Sequence, residues 1–224
     1  DTGEGARILA LREGSALTYA SMTQAIAPGQ LTLAAMRQTY QPSRRFGRSA
    51  SGMTRRTRVY AVIGDPIGHS LSPLMHNAAF AAGCVDAVYL PFRVRRLGDF
   101  IEAVREFGIS GFSVTLPHKE SVLKYLDGCD PLAVEIGAVN TVQVRRGGRL
   151  YGYNTDYTGV LQSIERHVPL AGSRVLLVGA GGSARAAAFA LAKNEASVVV
   201  WARRPAKARE LARAVGGETI DRAA

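Results

Sequence analysis

A glycine-rich turn between a predicted strand and a predicted helix limits most narrowly what this chain can fold into. Arg174 to Gly179 is predicted to be a strand with a continuous apolar run, as expected when both faces of a parallel strand are covered. The turn that follows fits the pattern G-x-G-x-x-A and is made of Gly179, Ala180, Gly181, Gly182, Ser183 and Ala184. It opens a predicted alanine-rich helix that ends near Lys193. Such a turn brings backbone amides and a helix N-terminus close to a pyrophosphate, so it predicts a nucleotide site. The alternative is a tight turn that binds no ligand.

The end of the next predicted strand, Val198 to Ala202, indicates which dinucleotide would bind. A site for NAD has Asp or Glu at this point, to bind the ribose 2′-hydroxyl. This chain instead has Arg203 and Arg204, with Lys207 one turn further on. Two guanidinium groups could hold a 2′-phosphate. The sequence therefore predicts NADP rather than NAD, and an exposed basic turn is the alternative.

Predicted strands and helices alternate along the chain before this turn. The strands are predicted at 59–64, 87–94, 112–116, 139–144 and 151–153, and the helices at 72–82, 97–107, 119–126, 131–136 and 156–167. This alternation favours an α/β layer with a largely parallel sheet. A doubly wound domain needs several more strand–helix units than residues 169–224 supply. We therefore expect its second half to lie beyond residue 224, and we expect exposed apolar sheet and helix surface where that half would pack.

Much of the net charge of +10 comes from six arginines between residues 44 and 58, in a stretch rich in serine and glycine. A basic run can bind nucleic acid. However, this one has a single aromatic residue, Phe46, and no helical periodicity, so bases would have nothing to stack on. Residues 43–57 are therefore predicted to be a solvated linker, and no nucleic-acid partner is expected. The remaining positive charge suits anionic small molecules.

Cysteine and histidine are too sparse and too widely spaced to indicate a metal site. Cys84 and Cys129 lie far apart, and the four histidines form no His-x-x-x-His pair. Both thiols are expected to be reduced core residues of a cytoplasmic protein. The longest apolar run, 186–192, is far shorter than the ~20 residues of a membrane span. No signal peptide is expected, and because the first residue is Asp1, the true start is expected upstream.

Lys119 is the candidate acid/base residue. The predicted strand 112–116 breaks at Pro117, which cannot donate a strand hydrogen bond. Lys119 then lies where a strand ends and a helix is predicted to begin, a usual place for catalytic groups. A lysine that exchanges protons near neutral pH needs burial or a nearby charge. The alternative is a surface lysine in the first turn of a helix, where the helix dipole is mildly unfavourable for it.

Four other polar residues stand within predicted strands or in the segments that follow them. Ser70 and Ser72 alternate, so both hydroxyls could face one side of an extended segment and hold a carboxylate, although Ser72 could equally be an N-cap. Asn140 places an amide in an apolar strand, where a buried site would have to satisfy it. Asp156 could be an N-cap or the carboxylate partner of Lys119, and spacing alone does not decide between these two roles.

Six motifs together resemble those of shikimate dehydrogenases, from about Val59 to the end of the chain. They are IGDPIGHSLSPLMHN, GFSVTLPHK, IGAVNTV, GYNTD, GAGGSARA and ARRPAKA. The resemblance implies a substrate-binding domain at 58–168, followed at 169–224 by the first half of a doubly wound, NADP-binding domain. It implies NADP-dependent, reversible reduction of 3-dehydroshikimate to shikimate, with Lys119 and Asp156 as the acid/base pair.

The same resemblance assigns the binding residues. The implied substrate ligands are Ser70, Ser72, Thr115, Asn140 and Asp156. The implied NADP ligands are Gly179, Ala180, Gly181, Gly182, Ser183, Ala184, Arg203, Arg204 and Lys207. The family usually has Asn-Arg-Thr where this chain has residues 202–204, Ala-Arg-Arg, and this difference increases the positive charge at the phosphate site.

Residues 1–42 resemble the C-terminal part of a type I 3-dehydroquinate dehydratase, a (β/α)₈ barrel. The run GSALTYA and the segment APGQ carry this resemblance, which implies that Arg7 and Gln30 are substrate ligands. Ile26 stands where that family usually has serine. The intact protein is thus expected to be a bifunctional dehydratase–dehydrogenase, located in the cytoplasm, or in a plastid if the source is plant-like.

Two alternatives stay open. One is a quinate dehydrogenase, which performs the same chemistry on a substrate with one more hydroxyl group. The other is a regulator that binds shikimate without catalysis, and the presence of both Lys119 and Asp156 speaks against it. The 224 residues alone are expected to turn over poorly or not at all. The sequence gives no indication of the oligomeric state.

Overall fold

The computed structural model describes residues 53–220. The predicted linker up to residue 52 lies outside this range. Residues 1–42, which resemble the end of a barrel, also lie outside it. The described residues fall into two compact units. One runs to His118 and includes Val142–Arg149, and the other comprises Lys119–Thr141 and the residues from Leu150 onward.

The first unit is built around a buried parallel sheet. Strand β1 (Arg58–Gly64) pairs in parallel with β2 (Ala87–Arg93) on one side and with β3 (Ile109–Val114) on the other. Parallel neighbours need a crossover connection, and these are supplied by α1 (Ser72–Ala82) and α2 (Leu97–Glu106). The strand order is β2-β1-β3-β5, where β5 is Thr141–Val144. The predicted α/β layer is therefore present, with β1 between β2 and β3.

An asparagine fastens helix α1 to strand β2. The side chain of Asn77 donates to the backbone carbonyl of Tyr89 at 2.9 Å and accepts from its N–H at 2.8 Å. The ring of His76 stacks on the Tyr89 ring at a centroid distance of 4.3 Å. The Tyr89 hydroxyl in turn donates to Ser113 at 2.7 Å. Burial raises the pKa of Tyr89 above its usual value, so the phenol keeps its proton and remains a donor.

The second unit contains the glycine-rich turn and its sheet. Strand β4 (Gly128–Cys129) pairs in parallel with β6 (Leu150–Tyr153). A second sheet has the order β7-β8-β9, all parallel. Its strands are β7 (Arg174–Val178), β8 (Ser197–Trp201) and β9 (Glu218–Thr219). The helices of this unit are α3 (Pro131–Ile136), α4 (Asp156–Glu165), α5 (Gly182–Lys193) and α6 (Pro205–Ala214). Alternation of β7, α5, β8, α6 and β9 is the predicted start of a doubly wound domain.

Strand β7 differs from the prediction that both of its faces are covered. It is an edge strand, and Leu176 and Val178 are 57% and 66% exposed. Strand β8, in the middle of the sheet, is the covered one, with Val198, Val199 and Val200 buried. The burial of β7 was wrongly predicted because an apolar run is compatible with two covered faces but does not show that other elements cover them. The expected exposed apolar sheet surface is found on β7.

Several predicted boundaries were also wrong. The segment predicted as a helix over 119–126 forms only a short 3₁₀ turn, Ser121–Tyr125, so Lys119 precedes it. Strand β3 ends at Val114, before Thr115.

Cys84 is exposed rather than in the core, and Cys129 is partly buried. Between residues 53 and 220, no helix is long and apolar enough to cross a membrane.

Candidate active site

The ammonium group of Lys119 lies at the centre of the candidate site. Its Nζ donates to Asp156 Oδ2 at 2.5 Å and to Ser183 Oγ at 2.8 Å. Only 9% of Lys119 is exposed, and its carbonyl accepts from the backbone N–H of Val139 at 2.8 Å. A buried ammonium needs partners to offset the loss of water. The alternative of a surface lysine in a helix is therefore wrong.

Asp156 is a partner of Lys119 and not an N-cap. It is the first residue of α4, so its carboxylate also lies at the positive end of that helix. Its Oδ1 accepts from the side-chain amide of Asn140 at 2.7 Å. The Asn140 oxygen accepts from the backbone N–H of Thr155 at 2.9 Å. Asn140 thus finds its hydrogen-bond partners in the turn that presents Asp156.

Asn154 fixes the backbone at Asp156 and was not among the site residues predicted from the sequence. Its Oδ1 accepts from the N–H of Asp156 at 3.0 Å and of Tyr157 at 3.3 Å. Its Nδ2 donates to the carbonyl of Ala138 at 2.9 Å, and the residue is buried. Asn154 therefore takes the capping role, through an Asx turn. An asparagine two residues before a helical aspartate was the available signal.

The glycine-rich turn is shaped partly by Lys119 itself. Gly179 has φ +123° and donates to the carbonyl of Trp201 at 2.7 Å. A Cβ added at Gly181 would meet nothing within 4 Å in the described part of the chain, whereas one at Gly182 would lie 2.7 Å from Lys119 Cβ. Gly181 is the N-cap residue of α5 and provides no side-chain cap. Gly181 thus leaves open space at the helix N-terminus, and Gly182 makes room for Lys119.

The basic residues after β8 differ from one another in their surroundings. Arg203 and Arg204 are exposed, and neither forms an ion pair with a carboxylate between residues 53 and 220. Lys207 is paired with Glu120 at 3.4 Å and with Glu210 at 3.3 Å. Two carboxylates therefore share the charge of Lys207, which was not foreseen from the sequence.

The candidate substrate residues of the first unit follow the ends of β1 and β3. Leu71, between Ser70 and Ser72, has helical φ and ψ of −84° and −4°. The predicted extended arrangement of the two serines is therefore wrong. Ser72 is not the N-cap either, since it is already the first residue of α1 and Leu71 precedes it. Instead, Ser70 Oγ accepts from the N–H of Ser72 at 3.3 Å.

Thr115 is held against the end of β1. Its N–H donates to the carbonyl of Ile63 at 2.9 Å. A Cβ at Gly64 would lie 2.6 Å from Thr115 Cγ2, so glycine is needed for this approach. The next residue, Asp65, accepts a hydrogen bond from Arg93 at 2.6 Å, and this bond lowers the pKa of Asp65. The loop beside Thr115 therefore carries a carboxylate that stays ionised and paired.

The arrangement in the second unit can perform proton transfer. A lysine ammonium has three N–H donors, and Asp156 and Ser183 accept two of them. The third can reach an oxygen of a bound molecule. Within the described range, no group of three or more His, Cys, Asp or Glu side chains could hold a metal ion.

Three segments of the chain match known protein families. Residues 62–142 match the shikimate dehydrogenase substrate binding domain. Residues 162–223 match shikimate / quinate 5-dehydrogenase. Residues 1–46 match type I 3-dehydroquinase.

Individual proteins show the same similarity. The chain is 48% identical over 169 residues to the shikimate dehydrogenase (NADP(+)) of Thermococcus kodakarensis, covering 74% of this chain and 61% of that protein. It is 37% identical over 237 residues to the chloroplastic bifunctional 3-dehydroquinate dehydratase/shikimate dehydrogenase of Arabidopsis thaliana, covering 98% of this chain and 38% of that protein. A solved structure of shikimate dehydrogenase from Thermus thermophilus, in complex with NADP(H) and shikimate, has a TM-score of 0.66 and 40% identity, covering 73% of this chain and 63% of that one. The chain thus spans less than two thirds of each of these proteins.

Proposed function

We propose that this protein reduces 3-dehydroshikimate reversibly to shikimate with NADPH. The chain belongs to the shikimate dehydrogenase family over residues 62–142 and 162–223, and a type I 3-dehydroquinase segment precedes them. Membership of the family confirms the resemblance inferred from the six motifs. The observation that carries the proposed activity is the ion pair of the buried Lys119 with Asp156. We also propose residues 58–168 and 169–224 as the substrate and dinucleotide domains.

Lys119 is the group that exchanges a proton with the substrate oxygen. In the reduction, its free N–H donates to the carbonyl oxygen as negative charge develops there. In the oxidation, the neutral amine accepts the proton of the hydroxyl group. Asp156 stabilises the ammonium form and keeps it oriented, and Asn140 fixes Asp156 through its second oxygen. When bound, the dinucleotide supplies or accepts the hydride.

The residues of the glycine-rich turn suit a dinucleotide. Gly179 adopts a φ that other residues rarely adopt, and open space lies at Gly181 beside the N-terminus of α5, where a pyrophosphate would be stabilised. Arg203 and Arg204 would hold the 2′-phosphate of NADP, because their guanidinium groups are exposed and suited to bidentate binding. Lys207 would add a third positive charge.

Ser70, Ser72, Thr115 and Asn140 are proposed substrate ligands on the basis of the family resemblance. Each of these four residues is only partly buried. Asn140 would serve two purposes, since its amide also holds Asp156.

The intact protein would also dehydrate 3-dehydroquinate. The similarity of residues 1–46 to type I 3-dehydroquinase, and of nearly the whole chain to a bifunctional plant enzyme, supports this proposal. Arg7 and Gln30 would be substrate ligands of that activity; both lie outside the described residues. The proposed location is the cytoplasm, or a plastid if the source is plant-like.

The dehydrogenase is tested with protein from the complete reading frame, by following NADPH absorbance after addition of shikimate and NADP. We expect shikimate-dependent reduction of NADP that is lost in Lys119→Ala. The matched control is Lys193→Ala, which removes a surface lysine paired with Glu135 and should leave turnover intact. Shikimate binding by the wild type without any reduction of NADP would replace the proposal with a non-catalytic, shikimate-binding regulator.

Quinate is the second candidate substrate, because residues 162–223 match a family described as shikimate / quinate 5-dehydrogenase. The same assay with quinate in place of shikimate separates the two. A higher kcat/KM for quinate than for shikimate would make quinate the main substrate.

A further inference from the structure

Ser183 has a contact that its place in the nucleotide-binding pattern does not explain. It is the second residue of α5 and a member of the glycine-rich turn. Its hydroxyl oxygen accepts from Lys119 Nζ at 2.8 Å. These two residues are 64 positions apart in the sequence, so no local pattern brings them together. A side chain of the dinucleotide turn thus contacts the acid/base lysine directly.

The preceding residue, Gly182, packs closely against the aliphatic part of the Lys119 side chain. A Cβ at Gly182 would lie 2.7 Å from Lys119 Cβ and 3.2 Å from its Cδ. The backbone of Lys119 is fixed by the N–H of Val139. The first two residues of α5 therefore both contact Lys119. Gly182 leaves room for its aliphatic chain, and Ser183 accepts a hydrogen bond from its ammonium group.

The two acceptors of the ammonium group differ in charge. Asp156 carries a negative charge, which stabilises the ammonium but does not by itself fix its rotation. Ser183 is neutral, so it adds a direction without a second negative charge. With two N–H groups bound at 2.5 Å and 2.8 Å, the direction of the third N–H is determined by the tetrahedral geometry of the nitrogen.

We propose that Ser183 is a positioning residue for the acid/base chemistry of Lys119, in addition to any contact it makes with the dinucleotide. This inference rests on the proposed dehydrogenase function. Ser183 holds one N–H of Lys119 so that the third N–H points to the reacting oxygen of the substrate. The glycine-rich turn then has two tasks, namely binding the pyrophosphate and orienting the proton donor.

The first test compares Ser183→Ala with Ser183→Thr, which keeps the hydroxyl group. The control is Ser197→Ala, at the exposed start of β8. For Ser183→Ala we expect kcat of shikimate oxidation to fall about tenfold, while KM for NADP changes by less than about twofold. Ser183→Thr should recover most of kcat.

A second test does not depend on turnover. Acetylation of lysines by a mild reagent, without substrate or NADP, is followed at Lys119 by peptide mass spectrometry and normalised to Lys193. Loss of the Ser183 acceptor should increase the rate at Lys119 several-fold in Ser183→Ala, and Ser183→Thr should restore it.

Two results would overturn the inference. One is a higher KM for NADP in Ser183→Ala with an unchanged kcat, which would make Ser183 a dinucleotide ligand only. The other is an unchanged acetylation rate at Lys119. If the wild type oxidises no shikimate, the proposed function fails, and the acetylation rate still decides whether Ser183 holds Lys119.

Discussion

Two asparagines determine where the carboxylate of Asp156 lies. Asn140 binds its side chain and Asn154 its backbone. The sequence identified Lys119 and Asp156 as candidates from their positions where a strand passes into a helix, and Asn140 as an amide within an apolar strand. It could not show that they meet, because Asp156 is 16 residues from Asn140 and 37 from Lys119. Contacts at such separations depend on the whole fold and not on a local pattern.

Replacing Asn154 should affect both stability and catalysis. Asn154→Ala removes a buried amide that bonds three backbone groups, so we expect a loss of about 1–3 kcal/mol in the free energy of unfolding. We also expect kcat to fall about tenfold or more, because Asp156 loses its anchor. Urea denaturation and shikimate oxidation measure the two effects.

The matched control is Asn194→Ala, which removes an amide bonded to the carbonyl of Ala190 at the end of α5. It should lower stability without lowering kcat of the folded enzyme. An equal kcat in Asn154→Ala and Asn194→Ala would mean that Asn154 is structural only.

His76 should make the stability of the protein depend on pH. Burial lowers the pKa of His76 below its usual 6.5, so the unfolded chain binds this proton more readily than the folded one. Stability is therefore expected to decrease as pH falls below about 6.5. His76→Phe keeps a ring that can stack on Tyr89 but removes the titration. Urea denaturation at about pH 7.5 and about pH 5.5 should show a smaller difference for His76→Phe than for the wild type, and an equal difference would contradict this role.

At the scale of elements, the glycine-rich turn was predicted correctly in its position between a strand and a helix. The role of Gly182 in this turn was not predicted correctly. From the pattern alone, Gly182 would serve close approach of a pyrophosphate. In the structure, it makes room for Lys119, which comes from a different segment. Local patterns predict the turn because its backbone geometry is local, but they cannot reveal which distant side chain packs on it.

Alanine substitutions at adjacent glycines should therefore differ. Gly182→Ala places a methyl group 2.7 Å from Lys119 Cβ, so we expect a loss of about 1–3 kcal/mol in stability and a marked loss of kcat. Gly181→Ala meets open space, so it should leave stability almost unchanged and raise KM for NADP. Thermal unfolding and steady-state kinetics distinguish the two variants. The same stability loss in both would contradict the packing of Lys119 on Gly182.

Lys207 on helix α6 forms ion pairs with Glu210 of the same helix and with Glu120. Lys207→Ala should raise KM for NADP about tenfold, because it removes a positive charge from the proposed 2′-phosphate site. Glu210→Gln should lower KM for NADP, because Lys207 loses one of its two carboxylate partners. The comparison with NAD as cofactor isolates the phosphate contribution, and Lys124→Ala is a surface control. A KM for NADP that is unchanged in Lys207→Ala would assign this lysine a purely structural role in the Glu120–Glu210 network.

At the scale of the whole molecule, strand–helix alternation was enough to predict parallel sheets with crossover helices. It predicted which segments are strands, since β1, β2, β3 and β8 all lie within or close to the predicted ranges. The apolar run of β7 taken alone did not predict an edge strand with exposed Leu176 and Val178, although exposed apolar sheet surface was expected where the second half of the domain would pack. Strand order is set by long-range pairing, and an apolar run has no information about its neighbours. The segment after Pro117 was wrongly predicted as a helix. Its local pattern does not show the hydrogen bonds of Lys119 with the distant residues Asp156 and Ser183.

The acid/base pair is tested most directly by a double-mutant cycle on Lys119 and Asp156 in the protein from the complete reading frame. Lys119→Met and Asp156→Asn keep side-chain volume, so the kcat of shikimate oxidation reports the chemistry rather than the packing. We expect each single variant to lose about 10²–10⁴-fold in kcat, and the double variant to lose about as much as the worse single variant, because the pair acts as one unit. A double variant whose loss equals the product of the two single losses, or a single variant with wild-type kcat, would contradict the assignment of Lys119 and Asp156 as the acid/base pair.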